Sequence, residues 1–174
     1  MLTRIAICGY MATARLIELA YSQRNVTASG RSEEGSLSRR TYPLIVAVHT
    51  AVIGGTLVAG SRPRWGWLTA LLALQPLRFW VLATLGRRWN TRGAVAPETE
   101  VEAGGPYAYV RHPNYTVVAG ELFSLPAAFG LMPLACFATA VNGALIAVRI
   151  RDEEHLLSRL PGYREHFDAK PRFL

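Results

Sequence analysis

Apolar residues gather in long blocks along this chain. A transmembrane helix needs roughly 20 consecutive apolar residues. Three blocks have about that length: residues 2–21, 42–60 and 65–85. A fourth stretch, residues 115–150, contains Glu121 as its only acid and no basic residue before Arg149. That stretch is too long for one helix and too apolar for a loop.

The fourth stretch predicts a helical hairpin. Pro126, Gly130 and Pro133 lie near its middle, where proline and glycine interrupt a helix. We therefore predict an all-α integral membrane protein with about five transmembrane helices, the last two forming a hairpin, and a short cytoplasmic C-terminal segment. A soluble helical bundle is the alternative, but the blocks show little of the polar stripe that it requires. The length favours a single domain over residues 1–174.

Charge supports a membrane protein. The chain carries 19 Lys and Arg against 12 acids, a net charge of +7, yet only 18% of its residues are charged. In a five-span arrangement fourteen of the basic residues fall on the side of the C-terminal tail and three on the other side. Because positive loops stay in the cytoplasm, we expect the tail inside and the N-terminus outside. The positive charge then reflects topology, and we expect no nucleic-acid partner.

Three ionisable residues lie at predicted membrane depth. Arg15, Glu18 and Arg78 are costly there unless they face protein or water. Arg15 and Glu18 are three residues apart and share a helix face. Two interpretations stay open, a structural ion pair and a polar site between the helices. His49, inside the second block, is typical of a helix-packing hydrogen bonder, with a catalytic base as the alternative.

Residues 104–115, GGPYAYVRHPNY, are unlike the rest of the chain. Gly-Gly-Pro favours a defined turn, and Pro113 is suited to the first turn of a helix. Tyrosines, an arginine and a histidine therefore gather at a helix N-terminus, a place that favours anions. An interfacial aromatic belt would have the same composition but would not need glycine and proline at these defined positions.

The motif GPYAYVRHPNY, followed by two apolar spans and RIRDEEHLL, resembles the isoprenylcysteine carboxyl methyltransferase family. The tail adds Gly162-Tyr163 and Pro171-Arg172-Phe173, although His166 stands where the family usually has a second tyrosine. In the N-terminal half, segments such as residues 15–19 and 84–92 resemble a bacterial branch of the family. Members of that branch are often encoded beside type III polyketide synthases, and they methylate the oxygen of alkylated pyrones or resorcinols.

The resemblance implies an integral-membrane methyltransferase that uses S-adenosylmethionine, with residues 104–173 as its cofactor-binding and catalytic part. No Gly-x-Gly-x-x-Gly sequence is present, in agreement with a helical enzyme that lacks a Rossmann sheet. The residues implied to contact the cofactor are Tyr107, His112, Pro113, Asn114, Tyr115 and Glu153. Arg149 would face the substrate, one helical turn before Glu153.

Glu121 follows the RHPNY motif by six residues, and we hypothesise that it accepts a proton from a substrate hydroxyl. No metal is expected, since no cluster of His, Cys or Asp has ligand spacing and the two cysteines form no C-x-x-C pair.

The implied partners are the lipid bilayer and a lipophilic substrate. We expect an alkylpyrone or alkylresorcinol hydroxyl, a functional link to a type III polyketide synthase, and a bacterial inner membrane with the active site facing the cytoplasm. Carboxyl methylation of a prenylated cysteine is the alternative within the family. A phospholipid N-methyltransferase, a nicotinamide-dependent reductase and a non-enzymatic membrane protein are further alternatives.

Overall fold

Helices form almost all of the regular structure in the computed structural model, which describes residues 1–30, 33–96 and 100–173. Five long helices and one short helix follow in order: α1 Leu2–Ala28, α2 Ser36–Ala59, α3 Trp65–Leu85, α4 Pro113–Ala128, α5 Met132–Leu157 and α6 Tyr163–Phe167. Short 3-10 turns occupy Gly86–Arg88 and Gly105–Ala108. The predicted all-helical class is confirmed. The third block matches α3 at both ends, whereas α1 runs seven residues beyond its block and α2 begins six residues before its block.

The predicted hairpin consists of α4 and α5. Only residues 129–131 separate them. Gly130 takes a φ of +84°, and a Cβ there would lie 2.5 Å from Ser61 Oγ. Pro126 does not end α4 but lies inside its last turn, where its carbonyl accepts the Leu131 amide at 2.9 Å. Pro133 lies in the first turn of α5, where proline is tolerated.

Three helices of the described residues are long and apolar enough to cross a membrane: α2, α3 with the 3-10 turn after it, and α5. The other two predicted spans do not meet this standard. Helix α4 has 16 residues, about 24 Å at 1.5 Å per residue, against a hydrocarbon core of about 30 Å. Helix α1 is long enough but carries Arg4, Arg15 and Glu18.

The connections alternate between two ends of the helical bundle. At one end, the Ser61 amide donates to the Phe129 carbonyl at 2.7 Å, which joins the α2–α3 loop to the hairpin turn. At the other end, Glu33 and Val95 pair in an isolated antiparallel bridge between the α1–α2 loop and the long α3–α4 segment. The C-terminal tail lies at this second end too. Arg31, one of the basic residues assigned to that side, is outside the described residues.

Helix α4 lies at the centre of the core. Eleven of its sixteen residues are buried, among them Leu122 and Leu125. Large apolar side chains on the surrounding helices face outward instead, including Leu16, Phe79 and Phe137, each more than 60% exposed. Such outward-facing apolar surface is expected of helices that contact lipid tails.

The first turn of α2 is fixed by a residue of α5. Asp152 Oδ2 accepts the amides of Leu37 at 3.0 Å and Ser38 at 2.9 Å. These amides have no partner within their own helix. Asp152 therefore caps α2 from a distant part of the chain and holds α2 against α5.

Candidate active site

The segment 104–115 folds as a turn that leads directly into α4. Gly105 takes a φ of +54°, and a Cβ there would lie 2.4 Å from Thr84 Oγ1, so the turn packs closely on α3. The 3-10 turn Gly105–Ala108 follows, His112 is the residue before α4, and Pro113 is its first residue. The predicted helix start at Pro113 is confirmed.

Side chains at the start of α4 meet two adjacent acids of α5. His112 Nε2 lies 3.2 Å from Glu154 Oε1. The Tyr115 hydroxyl donates to Glu153 Oε2 in a short hydrogen bond. The Arg149 guanidinium lies 5.9 Å from the centre of the Tyr115 ring. The predicted proximity of the motif, Arg149 and Glu153 is therefore present in the structure.

Arg149 is a buried cation with an incomplete set of partners. It is 5% exposed, its Nε has no hydrogen-bond partner, and it makes no ion pair within the described part of the chain. Gly93, with a φ of +67°, comes so close that a Cβ there would lie 3.0 Å from Arg149 Nε and 3.4 Å from Glu153 Oε2. A buried guanidinium without a carboxylate is unfavourable, so this position is suited to an anionic ligand.

The C-terminal tail closes over the same segment. The amides of Arg111 and His112 donate to the carbonyls of Pro171 and Arg172, both at 3.0 Å. Arg172 donates to both oxygens of Glu154, at 3.0 and 2.7 Å. The Glu154 carboxylate therefore accepts hydrogen bonds from His112 of the motif and from Arg172 of the tail, and it links the two segments.

The hydroxyl groups of two tyrosines near the tail are held in their protonated form. The Tyr163 and Phe167 rings of α6 stack at 5.0 Å. Burial, with the carboxylates of Glu154 and Glu153 acting in the same direction, raises the pKa of Tyr163 to about 12. Burial and Glu153 also raise the pKa of Tyr107 far above that of a free tyrosine. Both hydroxyls therefore keep their protons at neutral pH.

A cavity of about 370 Å³, here the first cavity, lies between α4, α5, the α3–α4 segment and α6. Five of the six residues expected to contact the cofactor line it, together with Arg149: Tyr107, His112, Asn114, Tyr115 and Glu153. Pro113 does not line it and is buried in the first turn of α4. The volume lies within the range of about 300–1,000 Å³ of small-molecule sites.

A cavity of about 400 Å³, here the second cavity, lies mainly between α1 and α2. Apolar side chains such as Leu19, Ile45 and Ile53 form much of its wall. The two cavities share four lining residues, which we call the shared wall: Trp89, Asn114, Tyr115 and Arg149. An apolar cavity and a more polar cavity thus share lining residues, and three of the four, Asn114, Tyr115 and Arg149, are residues that the sequence analysis assigned to the site.

Buried charges connect α1, α3 and α4 beside the shared wall. Arg78 donates to both oxygens of Glu18, at 2.9 and 2.5 Å, and to Asn114 Oδ1 at 2.9 Å. Arg15 lies 2.9 Å from Glu18, which confirms the predicted pair, and 3.3 Å from Glu121. Arg15, Glu18 and Arg78 also line the second cavity. Both interpretations of these residues, an ion pair and a polar site between helices, therefore describe part of the structure.

Glu121 lies outside both cavities. Its Oε1 accepts from Gln75 at 3.0 Å and from Arg15 at 3.3 Å, and it borders a small gap of about 10 Å³. The structure does not bring Glu121 to the shared wall, so its role as a base stays a prediction that this position does not favour. His49 lines the second cavity, and its Nδ1 lies 2.9 Å from the Ile45 carbonyl.

The α3–α4 segment contributes residues that motif reasoning missed. Trp89 is 2% exposed and lines both cavities, and its Nε1 has no hydrogen-bond partner among the residues that the structure describes. Asn25 holds this segment in place by donating to the Trp89 carbonyl at 2.7 Å. The sequence signal that could have identified Trp89 was its place in residues 84–92, which carry the resemblance to the bacterial branch. That resemblance gave Trp89 no role, and its spacing from the motif does not predict one.

The fold and the site together define a helical membrane protein with two adjoining cavities. The model of the isoprenylcysteine carboxyl methyltransferase (ICMT) family matches residues 67–159, more than half of the chain. The chain belongs to this family. It is therefore an integral membrane protein of a methyltransferase family whose members use S-adenosylmethionine as methyl donor.

Bacterial proteins resemble the chain over most of its length. It is 31% identical to uncharacterized protein YpbQ of Bacillus subtilis (strain 168), over 87% of this chain and 94% of that protein. It is 29% identical to the nickel-cobalt-cadmium resistance protein NccN of Alcaligenes xylosoxydans xylosoxydans, over 87% of this chain and 72% of that protein. It is 23% identical to an uncharacterized protein of Haemophilus influenzae, over 79% of this chain and 83% of that protein. No solved structure matches the chain.

Proposed function

We propose that this chain is an S-adenosylmethionine-dependent O-methyltransferase that binds its cofactor in the first cavity and a lipophilic acceptor in the second. The observation that carries the proposal is the shared wall. A methyl group can pass between two bound molecules only where their sites adjoin, and Trp89, Asn114, Tyr115 and Arg149 line both cavities.

The volume and the lining of the first cavity support a site for this cofactor. S-adenosylmethionine has an aromatic base, hydroxyl groups, an ammonium and a carboxylate. The lining offers aromatic rings from Tyr107 and Tyr163, a carboxylate from Glu153 and a guanidinium from Arg111. We assign cofactor contacts to Tyr107, His112, Asn114, Tyr115 and Glu153. Pro113 would act indirectly by fixing the first turn of α4.

Arg149 is the residue we assign to the acceptor oxygen. When bound, the cofactor supplies a methyl group already activated by a positively charged sulfonium. The protein must hold the acceptor oxygen in line and exclude water, and such positioning lowers a barrier substantially. The buried guanidinium of Arg149, which has no ion pair within the described ranges, is suited to orient an electron-rich oxygen at the shared wall.

The proposed acceptor is the enolic or phenolic oxygen of a long-chain pyrone or resorcinol. The resemblance of the N-terminal half to the bacterial branch supports this substrate and a functional link to a type III polyketide synthase. The excess of basic residues at the tail supports an inner-membrane enzyme with its active site facing the cytoplasm. Residues 104–173 would form the cofactor-binding part, while α1 and α2 supply most of the lipid site.

Calorimetry tests the assignment of the two cavities. His112→Ala and Tyr115→Ala should weaken S-adenosylmethionine binding at least tenfold, because both side chains line the first cavity. Arg149→Ala should lose turnover and affect cofactor binding much less, although Arg149 also lines the first cavity, because its proposed partner is the acceptor oxygen. Cys136→Ser, at an exposed position outside both cavities, is the control. Unchanged affinity in His112→Ala and Tyr115→Ala would refute the assignment.

Labelled S-adenosylmethionine tests the acceptor. The purified protein should transfer label to an alkylpyrone. Transfer to a prenylated cysteine carboxylate, with none to an alkylpyrone or an alkylresorcinol, would replace the proposed substrate by the alternative. A protein that binds no S-adenosylmethionine would refute the enzymatic function itself.

A further inference from the structure

His49 is a polar residue on the wall that α2 gives to the second cavity. One row of α2 residues spaced four apart, Ile45, His49 and Ile53, lines this cavity. His49 Nδ1 lies 2.9 Å from the carbonyl of Ile45, one turn earlier in the same helix. A carbonyl can only accept a hydrogen bond, so Nδ1 carries the ring proton. This bond stays within α2 and does not join α2 to another helix.

The other ring nitrogen of His49, Nε2, is an acceptor without a donor. In a neutral imidazole with its proton on Nδ1, Nε2 has a free lone pair. Nε2 lies on the side of the ring away from the Ile45 carbonyl, and so away from the α2 backbone. Of the carboxylate, amide and imidazole acceptor atoms in the described lining of the second cavity, Nε2 alone has no donor. A polar group in an apolar cavity favours a ligand that pairs with it.

The charged groups near His49 pair with one another. Arg15 borders both the second cavity and the small gap beside His49. Its terminal nitrogens lie 2.9 Å from Glu18 and 3.3 Å from Glu121. Arg78 donates to Glu18 and lies 4.0 Å from Glu121. Two arginines and two glutamates therefore balance in charge, and a donor for His49 Nε2 has to come from a bound molecule.

His49 and Arg149 line the second cavity at different depths. Asp152 of α5 is level with the first turn of α2, and Leu134 near the start of α5 lies beside Gly55 near the end of α2, so the two helices are antiparallel. By this alignment His49 lies about eight residues deeper than Arg149, about 12 Å at 1.5 Å per residue. Helical side chains lean toward the N-terminus of their own helix. In antiparallel helices the His49 and Arg149 side chains therefore lean toward each other.

Apolar residues line the second cavity between these two depths. Ile146 lies about one turn deeper than Arg149 on α5, and Val118 lies about one turn deeper than Tyr115 on α4. Leu16, which is 66% exposed, lines the outer side of the cavity. The cavity thus offers a guanidinium at the shared wall, an apolar wall and then an imidazole acceptor. A planar ring with an oxygen toward each polar group, and an alkyl tail directed outward, complements this order.

We propose that His49 is a specificity-determining residue whose Nε2 accepts a hydrogen bond from a second hydroxyl group of the acceptor, while Arg149 orients the oxygen that receives the methyl group. This inference rests on the proposed function and narrows its acceptor to a head with two oxygens in different roles. An alkylresorcinol fits, because its second hydroxyl donates to Nε2. A hydroxypyrone has a single hydroxyl and a prenylated cysteine carboxylate has none, so neither supplies both groups.

A cycle of enzyme and substrate changes tests the inference. An alkylresorcinol is compared with a 3-alkylphenol that has the same tail and lacks the second hydroxyl. The unaltered protein should favour the resorcinol in kcat/KM at least tenfold, beyond the factor of two for its two equivalent hydroxyls. His49→Phe keeps a ring without the acceptor and should abolish this preference, mainly through a loss on the resorcinol. His49→Gln, whose amide oxygen accepts, should restore part of it. Thr50→Val is the control, because the Thr50 hydroxyl already donates to the Val46 carbonyl, and it should keep the preference.

The outcomes distinguish this inference from the proposed function. Equal kcat/KM for the two substrates with the unaltered protein would overturn the inference. Equal losses on both substrates in His49→Phe would also overturn it, since they would indicate a structural role or an action on the reacting hydroxyl. His49 does not line the first cavity, so His49→Phe should bind S-adenosylmethionine as the unaltered protein does, which checks its folding; if it does not fold, His49→Gln and the unaltered protein complete the test. No transfer to either phenol, to an alkylpyrone or to a prenylated cysteine would refute the proposed function itself.

Discussion

Replacing Arg78 by glutamine should both destabilise the protein and disturb its site. Arg78 is 5% exposed and donates to Glu18 through two nitrogens and to Asn114 through a third. Arg78→Gln leaves Glu18 with Arg15 as its remaining charged partner and frees the Asn114 side chain at the shared wall. The change therefore removes a link between α1, α3 and α4 at the level of the two cavities.

The size of the effect follows from burial. Removing one member of a buried ion pair costs roughly 3–5 kcal/mol. For a chain of this length 1 kcal/mol shifts the Tm by about 2–4 °C, so we expect a decrease of roughly 6–20 °C. Arg88 offers a matched control, because its 2.7 Å ion pair with Glu102 is exposed. Exposed pairs contribute about 0–1 kcal/mol, and Arg88→Gln should lower the Tm by less than about 4 °C.

Thermal unfolding in detergent measures the effect, and a double-mutant cycle interprets it. Glu18→Gln should also lower the Tm. The double variant should lower the Tm by less than the sum of the two single decreases. In each single variant one member of the ion pair is left as a buried charge without this partner, whereas in the double variant both members are neutral amides. Strict additivity, or an Arg78→Gln variant no less stable than Arg88→Gln, would refute the reasoning. S-adenosylmethionine affinity should also fall in Arg78→Gln, because Arg78 holds Asn114, which lines the first cavity; Arg88 lines that cavity itself and is a control for stability only.

Three further predictions concern the cap, the tail and the topology. Asp152→Ala should cost about 0.5–2 kcal/mol through loss of the α2 cap, and Asp152→Asn, which keeps an acceptor, should retain most of the Tm; equal losses would contradict the cap. Because the pKa of Tyr163 is raised to about 12, the folded state keeps a proton that the unfolded state loses near pH 10, so stability should fall from pH 10 to pH 12 and Tyr163→Phe should reduce that fall. Single cysteines at Arg64 and Arg159, without Cys8 and Cys136, should be labelled from opposite sides of the membrane; labelling from one side would refute five spans.

Local chemistry predicted much of the fold. The apolar block predicts both ends of α3, and Pro113 predicts the start of α4. These helix ends were predictable because each depends on residues at or next to it. The hairpin was predictable since Gly130 and the nearby prolines interrupt the pattern. The meeting of Arg149 with the motif was also predictable, because their helices are consecutive and joined by a three-residue turn.

Contacts between distant segments were not predictable in this way. Glu121 occurs about two turns inside a helix that begins with the motif, which suggested a place in the site, yet its partners come from α1 and α3. Trp89 reaches both cavities because Asn25, 64 residues earlier, holds its carbonyl. The second cavity depends on how α1 lies against α2, and hydropathy does not encode that arrangement.

The hydrogen bonds between the tail and the segment before α4 impose an order on biosynthesis. The carbonyls of Pro171 and Arg172 complete the backbone bonding of Arg111 and His112, some sixty residues earlier in the chain. All five long helices are therefore synthesised before the residues that complete the backbone bonding at the start of α4, and chains fold from the N-terminus during synthesis. On the proposed function, a chain cut before Pro171 should keep its long helices and bind S-adenosylmethionine more weakly, because Arg111 and His112 would lose these two backbone partners.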